Sequence, residues 1–200
     1  YEKGTIVPVD YSEAMRWYRK GAEQGESVCQ HRVGQMYKDG KGVAQDYSEA
    51  AKWFLMSAEN GNRIGQYFMG RLYHEGKGVA QNYTEAAKWY RMGAENGDAD
   101  CQFWIGRMYY KGEGVQQDYA EAAKWYQMGA VNGDKYCQFQ IGQMYYDGQG
   151  VQQDYAEAAK WYRMGAENGH KLCQFWIGRF FEIGKGVSQK YAEAAKWYQR

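Results

Sequence analysis

Residues Gly40 to Phe54 read GKGVAQDYSEAAKWF, and two readings compete for them. A lysine between glycines ahead of a helix is one way to cradle a phosphate on backbone N–H groups. The same letters also spell a tight connection between two helices. Recurrence decides. The glycine loop returns as GKGV, GEGV, GQGV and GKGV from Gly76, Gly112, Gly148 and Gly184. A phosphate loop follows a strand and carries a third glycine or a Lys-Ser/Thr pair. Here no β-like run precedes any copy, and the central residue changes freely among Lys, Glu and Gln. The stretch is a turn, with Gly112 and its counterparts ending one helix in the left-handed conformation that glycine adopts at least cost.

Working outward, DYSEAMRWY begins at Asp10, DYSEAAKWF at Asp46, NYTEAAKWY at Asn82, DYAEAAKWY at Asp118 and Asp154, and KYAEAAKWY at Lys190. Tyr11, Tyr47, Tyr83, Tyr119, Tyr155 and Tyr191 follow one another at 36 residues without an insertion. A fixed period of this order marks a repeat architecture. Each copy predicts a helical hairpin, with helix A over Ala99–Lys111 and helix B over Tyr119–Asn132 in the third copy. Val115 is expected to drop into the hairpin interior. Asp118 and Glu121 stand at capping-box spacing, and Gly97 and Asp98 predict a helix stop followed by the next cap. Lys190 breaks the pattern, so the last helix should be less well capped. A single hairpin cannot bury its apolar face, so the copies are expected to stack into a solenoid.

Composition narrows the partners. The 200 residues carry 25 basic and 24 acidic side chains, which favours neither nucleic acid nor an anionic membrane. No apolar run reaches membrane-spanning length and no leader pattern opens the chain. It starts at Tyr1 without methionine and reads as an excerpt. Aromatics make up 18% of the residues, and disordered chains lack them. These rings must pack or bind.

The pattern A-x-x-W-Y, A-x-N-G, Q-x-x-I-G-x-M-Y-x-x-G-x-G-V-x-x-D-Y resembles the Sel-one-like repeat family, a relative of the tetratricopeptide repeats. The resemblance covers essentially the whole chain, residues 1–200, as five complete A helices flanked by B helices. It implies one all-α, right-handed superhelical solenoid with the A helices on its concave side. It also implies an adaptor role in protein complexes, of the kind bacterial members serve. A cysteine-rich branch associated with β-lactam binding has a Cys pair in each repeat. This chain lacks the second Cys, so a β-lactam-binding or hydrolysing activity ranks below the other readings.

Helical periodicity sorts core from surface. In the third A helix Cys101, Ile105, Met108 and Gly112 share the core side, and Gly106 sits on a flank where a neighbouring helix can approach closely. In helix B the apolar set is Ala122, Trp125, Tyr126 and Met128/Gly129. Trp17, Trp53, Trp89, Trp125, Trp161 and Trp197 read as packing residues, and Lys88, Lys124, Lys160 and Lys196 as a solvated rim. Opposite the core of helix A fall Phe103, Arg107 and Tyr110, with counterparts His31/Gln35/Lys38, Tyr67/Arg71/His74, Phe139/Gln143/Tyr146 and Phe175/Arg179/Glu182. Arg32, Phe68, Trp104, Gln140 and Trp176 occupy a variable position beside them. Large rings next to Arg71, Arg107 and Arg179 match residue types enriched at interface hot spots. The competing reading packs Phe103 and its counterparts against the next A helix.

Chemistry is otherwise sparse. Cys29, Cys101, Cys137 and Cys173 take one core position, with Gly65 in the missing place, and equivalent positions are too far apart to bridge. They are expected to be free thiols, which favours a reducing compartment without fixing one. His31 is placed in the groove and His170 near a cap, so neither converges with Cys29 or Cys173 on a metal. No catalytic motif stands out, and no cofactor is expected. Two functions remain. The first is a non-enzymatic scaffold holding a protein or peptide on the concave face through Tyr67, Phe68, Arg71, His74, Phe103, Trp104, Arg107, Tyr110, Phe139, Tyr146, Phe175, Trp176 and Arg179. The second is a structural spacer that self-associates end to end through apolar terminal faces, the chain stopping inside helix B at Arg200. Single-stranded nucleic acid would suit the rings but not the balanced charge.

Overall fold

The computed structural model describes residues 10–199, and among them it forms helices and turns only. In chain order these are α1 (Tyr11–Glu23), α2 (Ser27–Asp39), α3 (Tyr47–Glu59), α4 (Arg63–Glu75), α5 (Tyr83–Glu95), α6 (Ala99–Lys111), α7 (Tyr119–Val131), α8 (Lys135–Asp147), α9 (Tyr155–Glu167), α10 (Lys171–Ile183) and α11 (Tyr191–Tyr198). Even-numbered helices are the A helices and odd-numbered ones the B helices. The third A helix has its expected bounds, and the B helix after it ends one residue early, at Val131. The expectations resting on Tyr1 and Arg200 lie outside the described residues. The chain divides into two compact units between Asp98 and Ala99. Within each, every helix packs on its neighbours in sequence.

The glycine loop turns its backbone on the protein itself. Gly76 caps α4 at φ +68°, and the N–H groups of Gly76 and Lys77 both donate to the Leu72 carbonyl, at 2.8 and 3.1 Å. The Gln81 amide covers the His74 carbonyl at 2.9 Å. Gly78, at φ +73°, passes so close to the Tyr47 carbonyl that any Cβ would overlap it. Val43, Val79, Val151 and Val187 pack on the hairpin cores. These donors are therefore unavailable to a phosphate.

The N-caps follow the sequence in one half and depart from it in the other. Asp10, Asp46, Asn82, Asp118 and Asp154 each accept from N–H groups in the first turn, whereas Lys190 makes no side-chain cap. The reciprocal half of the expected capping box is replaced. The Asn82 N–H donates to the Tyr73 carbonyl at 2.9 Å, so Glu85 is released to pair with Lys88 at 2.5 Å. Lys88, Lys124, Lys160 and Lys196 are exposed, as expected.

Two glycine contacts set the helix spacing. A Cβ on Gly34, Gly70, Gly106, Gly142 or Gly178 would lie within 2.9 Å of the ring of Phe54, Tyr90, Tyr126, Tyr162 or Tyr198. The close approach expected at Gly106 is thus made by the Tyr126 ring of α7. A second set has the glycine in helix B and the thiol in helix A. Cβ atoms on Gly21 and Gly165 would meet Cys29 and Cys173 sulfurs at 2.6 and 2.5 Å. In the copy lacking cysteine the pair is inverted. Gly65 faces Ser57, whose hydroxyl donates to the Ser27 carbonyl at 2.7 Å. All four thiols are free, three buried and Cys29 half-buried.

A polar ladder crosses this apolar stack. Gln30, Gln66 and Gln138 donate to the Ala22, Ala58 and Ala130 carbonyls at 3.2, 3.2 and 3.0 Å. Their side-chain oxygens accept from Asn60, Asn96 and Asn168 of the next B helix at 3.0, 3.0 and 2.9 Å. Each buried amide is thereby satisfied at both ends, which buried polar groups require.

Three packing expectations are corrected. Trp161 and Trp197 are buried and Trp53, Trp89 and Trp125 half-buried, but Trp17 is 51% exposed. Trp53, Trp89 and Trp161 pack on the core of the hairpin before them. Among the described residues no hairpin precedes α1, and the Trp17 indole instead donates to Glu13 at 3.0 Å. Met128 is 45% exposed, because helix B meets the A helices through Ala122, Ala123, Gly129 and Ala130. Gly112 is an exposed cap rather than core.

The inverted pair makes a double-mutant test. Gly65→Cys alone should lower the melting temperature by overpacking against Ser57, at a cost of about 1–3 kcal/mol. Adding Ser57→Gly should recover more than half of that loss in thermal melts followed by circular dichroism. Additive losses would mean the two positions do not share one space.

Candidate functional site

The candidate site begins with the B-helix ring that lies flat on the A-helix glycine. That ring also meets, at a tilt, the first expected position of helix A. His31–Phe54, Tyr67–Tyr90, Phe103–Tyr126, Phe139–Tyr162 and Phe175–Tyr198 have ring centroids 6.1, 6.3, 5.9, 6.1 and 6.1 Å apart. The neighbouring variable position reaches back to the ring of the preceding hairpin. Phe68 stacks on Phe54 at 4.6 Å and Trp176 on Tyr162 at 5.9 Å. The rings therefore pack chiefly on B-helix aromatics, with Phe103 also touching Tyr136 of the next A helix at 6.1 Å.

Packing leaves most of them partly open. Tyr67, Phe68, Phe103, Trp104, Phe139 and Trp176 are half-buried, and Phe175 is 52% exposed. His31 departs from its expected place in the groove. It is 5% exposed, covered by Phe54 and Phe68, and burial is the main cause that lowers its pKa.

The arginines differ from one another. Arg71 donates through Nε and Nη2 to Glu75, at 3.0 and 2.8 Å. Arg179 donates to Glu182 at 2.8 Å. Arg107 lies 4.9 Å over the Trp104 ring and makes no ion pair among the described residues. Gln143 bridges Asp147 and the Tyr162 hydroxyl, at 2.8 and 3.1 Å.

The third column is tied to the glycine loops. The Tyr110 hydroxyl donates to Gln149 at 2.8 Å, and Lys185 donates to the Tyr146 hydroxyl at 3.2 Å. Lys185 also lies 4.0 Å over the Tyr155 ring. His74 meets the edge of Tyr83 at 5.1 Å. The freely varying loop residue thus reaches onto the A-helix face, which the sequence reading missed.

Unit 2 adds two further groups. Tyr136 and His170 lie edge to face at 5.4 Å, and His170 stacks on Phe139 at 5.0 Å. His170 is the N-cap of α10, its Nδ1 accepting the Cys173 N–H at 3.3 Å. Among the described residues no three His, Cys, Asp or Glu side chains converge as a metal site, and no helix is long and apolar enough to cross a membrane. Burial pushes the Cys173 thiol up to about 12 and the Cys137 thiol higher still, so neither is a ready nucleophile.

Comparison with known proteins agrees with this architecture. The Sel1 repeat family model matches residues 1–26, 27–62, 64–98, 99–134, 135–170 and 171–200. The chain belongs to the Sel1 repeat family. It is 36% identical to c5321, described as a protective antigen present in uropathogenic Escherichia coli strains and displaying an SLR fold. That match has a TM-score of 0.96 and covers 100% of this chain but 43% of that one. A Sel1 repeat protein of Oxalobacter formigenes is 33% identical, with a TM-score of 0.89, covering 94% of this chain and 78% of its own. Cysteine rich protein B of Helicobacter pylori shares the fold at 22% identity and a TM-score of 0.53, covering 67% of this chain and 96% of that one. No curated protein matches the sequence. Proteins of this family are in general scaffolds for protein interaction.

The His170 cap should make stability depend on pH. Its Nδ1 can accept the Cys173 N–H only while unprotonated. Burial first, and then Lys135, lower its pKa against the opposing effect of Asp134. A base with a lowered folded pKa contributes stability that is complete above its unfolded value of about 6.5 and is lost as the pH falls below it. The melting temperature should therefore drop from pH 7 to pH 5. His170→Asn, which keeps a cap, should flatten part of that drop and leave the share due to His31. Identical curves for the two proteins would rule out a titrating cap.

Proposed function

We propose that this chain is a non-enzymatic scaffold that holds a protein or peptide segment against the A-helix face of its hairpins. The observation that carries the reading is on α6. Phe103 and Trp104 meet edge to face at 5.9 Å, and Arg107 lies over the indole with no carboxylate partner among the described residues. A half-open indole beside a guanidinium is the kind of anchor enriched at interface hot spots. The guanidinium can take a partner's carboxylate in a bidentate fork, while the indole buries an apolar side chain. The rings are already held by the network beneath, so binding would order little that is still free.

The contribution of the other two arginines is narrower. Arg71 and Arg179 are held by carboxylates of their own helices, so either would have to exchange that partner for one on a ligand. Tyr110 and Tyr146, braced by loop residues, would line the edge of the bound segment. Phe139, Phe175 and Trp176 would supply further apolar contacts within unit 2, and Tyr67, Phe68 and His74 would form the A-helix face of unit 1 by itself.

The test is a selection of random peptides displayed against the immobilised protein, followed by fluorescence anisotropy of the selected peptides. Trp104→Ala with Arg107→Ala should weaken binding at least about tenfold and move the melting temperature by only a few degrees. Phe103 is left in place because it supports Tyr126. Unchanged affinity would sink the α6 anchor. Concentration-dependent self-association with no peptide selected would favour a structural spacer instead.

A further inference from the structure

Unit 1 carries a cavity of about 380 Å³ where α2 and its following loop face α4. Phe68 and Leu72 line it, and its charged residues are unevenly divided. Lys38, Lys41, Arg71 and Lys77 face only two carboxylates, Asp39 and Glu75. Asp39 is shared by Lys38 at 2.9 Å and Lys41 at 3.9 Å. Glu75 is shared by Arg71 and Lys77, both at 2.8 Å. Each carboxylate is thus over-compensated, and the ammonium groups of Lys38 and Lys77 keep donors to spare. Lys38 also lies 5.0 Å over the Phe68 ring, so charge and apolar surface are presented together.

All four of these positions are basic only here; three repeats further on they hold Tyr146, Gln149, Arg179 and Lys185. Two repeats further on, the positions of Lys38, Lys41, Arg71 and Lys77 hold Tyr110, Glu113, Gln143 and Gln149. None of those four is basic. The cavity volume is at the lower end of ligand pockets, about 300–1,000 Å³, and suits one or two side chains of an extended segment.

We propose that this cavity seats an acidic peptide segment, with two carboxylates held by the lysines and a neighbouring apolar side chain lying against Phe68. The proposal rests on the reading of the A-helix face as a peptide-binding surface. A nucleic acid fits less well. Its backbone needs an extended basic stripe, whereas here the surplus is confined to one cavity.

The experiment is fluorescence anisotropy of the full chain with a fluorescein-labelled, end-blocked Gly-Asp-Glu-Phe-Asp-Glu-Gly peptide, beside its Asn/Gln counterpart. The acidic peptide should bind at least about tenfold more tightly than the amide one, and less tightly as salt rises. Lys38→Gln with Lys77→Gln should abolish the difference. Asp39→Asn with Glu75→Gln should tighten binding, since the internal competitors are gone. Equal binding of the two peptides would overturn the proposal. So would an unaffected, folded lysine variant, or equal displacement by a single-stranded oligonucleotide of the same charge. Selected peptides that depend on Trp104 and Arg107 but never on Lys38 and Lys77 would defeat this inference alone. Failure of both sets would defeat the A-helix reading as well.

Discussion

One contact recurs in every hairpin, and the rest of the architecture follows from it: an aromatic ring of helix B lying flat on a glycine of helix A. The glycine costs roughly 1 kcal/mol of helix propensity relative to alanine. In return Tyr90, Tyr126 and Tyr162 become almost fully buried, and burying a large apolar side chain contributes about 1.5–3 kcal/mol. The contact also fixes how near the two helices come. A methyl at Gly106 would overlap the Tyr126 ring, so the spacing tolerates no side chain there. The same B-helix rings also meet Tyr67, Phe103 and Phe139 at a tilt, and Phe68 and Trp176 stack on the rings of Phe54 and Tyr162. The same interaction that closes the core therefore determines what the A-helix face can display.

Spacing alone would let neighbouring hairpins slide, since apolar contacts are non-directional. The amide ladder removes that freedom. Gln66 must reach the Ala58 carbonyl on one side and Asn96 on the other, and a shift along the helix would leave buried donors unpaired at about 1–3 kcal/mol each. The glycine loops act in the same direction. Gly78 sits against the Tyr47 carbonyl of the preceding B helix, which ties each connection to the hairpin before it. Register is thus held by polar contacts, and distance by glycines.

Much of this was legible because the period is strict. The hairpin bounds, the left-handed loop glycines and the close approach at Gly106 follow from residues that recur unchanged, and the B-helix N-caps from an Asp or Asn that only Lys190 breaks. What the sequence concealed depends on neighbours that are not at a fixed offset, or on pairs read one at a time. His31 is buried because Phe68, a ring at a variable position, closes over it. Trp17 is exposed, with no hairpin before α1 among the described residues for it to pack on. The Arg71–Glu75 and Arg179–Glu182 pairs were readable from i,i+4 and i,i+3 spacing, yet a survey of arginines alone passes them over. Gln66 and Asn96 recur as faithfully as the glycines, but only their meeting across hairpins gives that recurrence a meaning. His170 was placed near a cap and is one, but its stacking on Phe139 and its contact with Tyr136 rest on side chains that occur once in their positions, so no repetition pointed to them.

The positions that vary are those the framework does not need. Exchanging Lys38 for Tyr110 or Tyr146 changes what stands on the face without altering the glycine, the flat ring or the amide ladder below. Substitutions of this kind leave the buried contacts intact, and surface changes away from such contacts usually move stability by no more than about 0.5 kcal/mol. A chain of near-identical hairpins can therefore carry locally different chemistry, cationic over α2 and α4 and aromatic over α6. The charge surplus in unit 1 and the Arg107 guanidinium over Trp104 in unit 2 are two expressions of that separation. Specificity in such a molecule is a property of single repeats, set by a few side chains that the fold supports but does not prescribe.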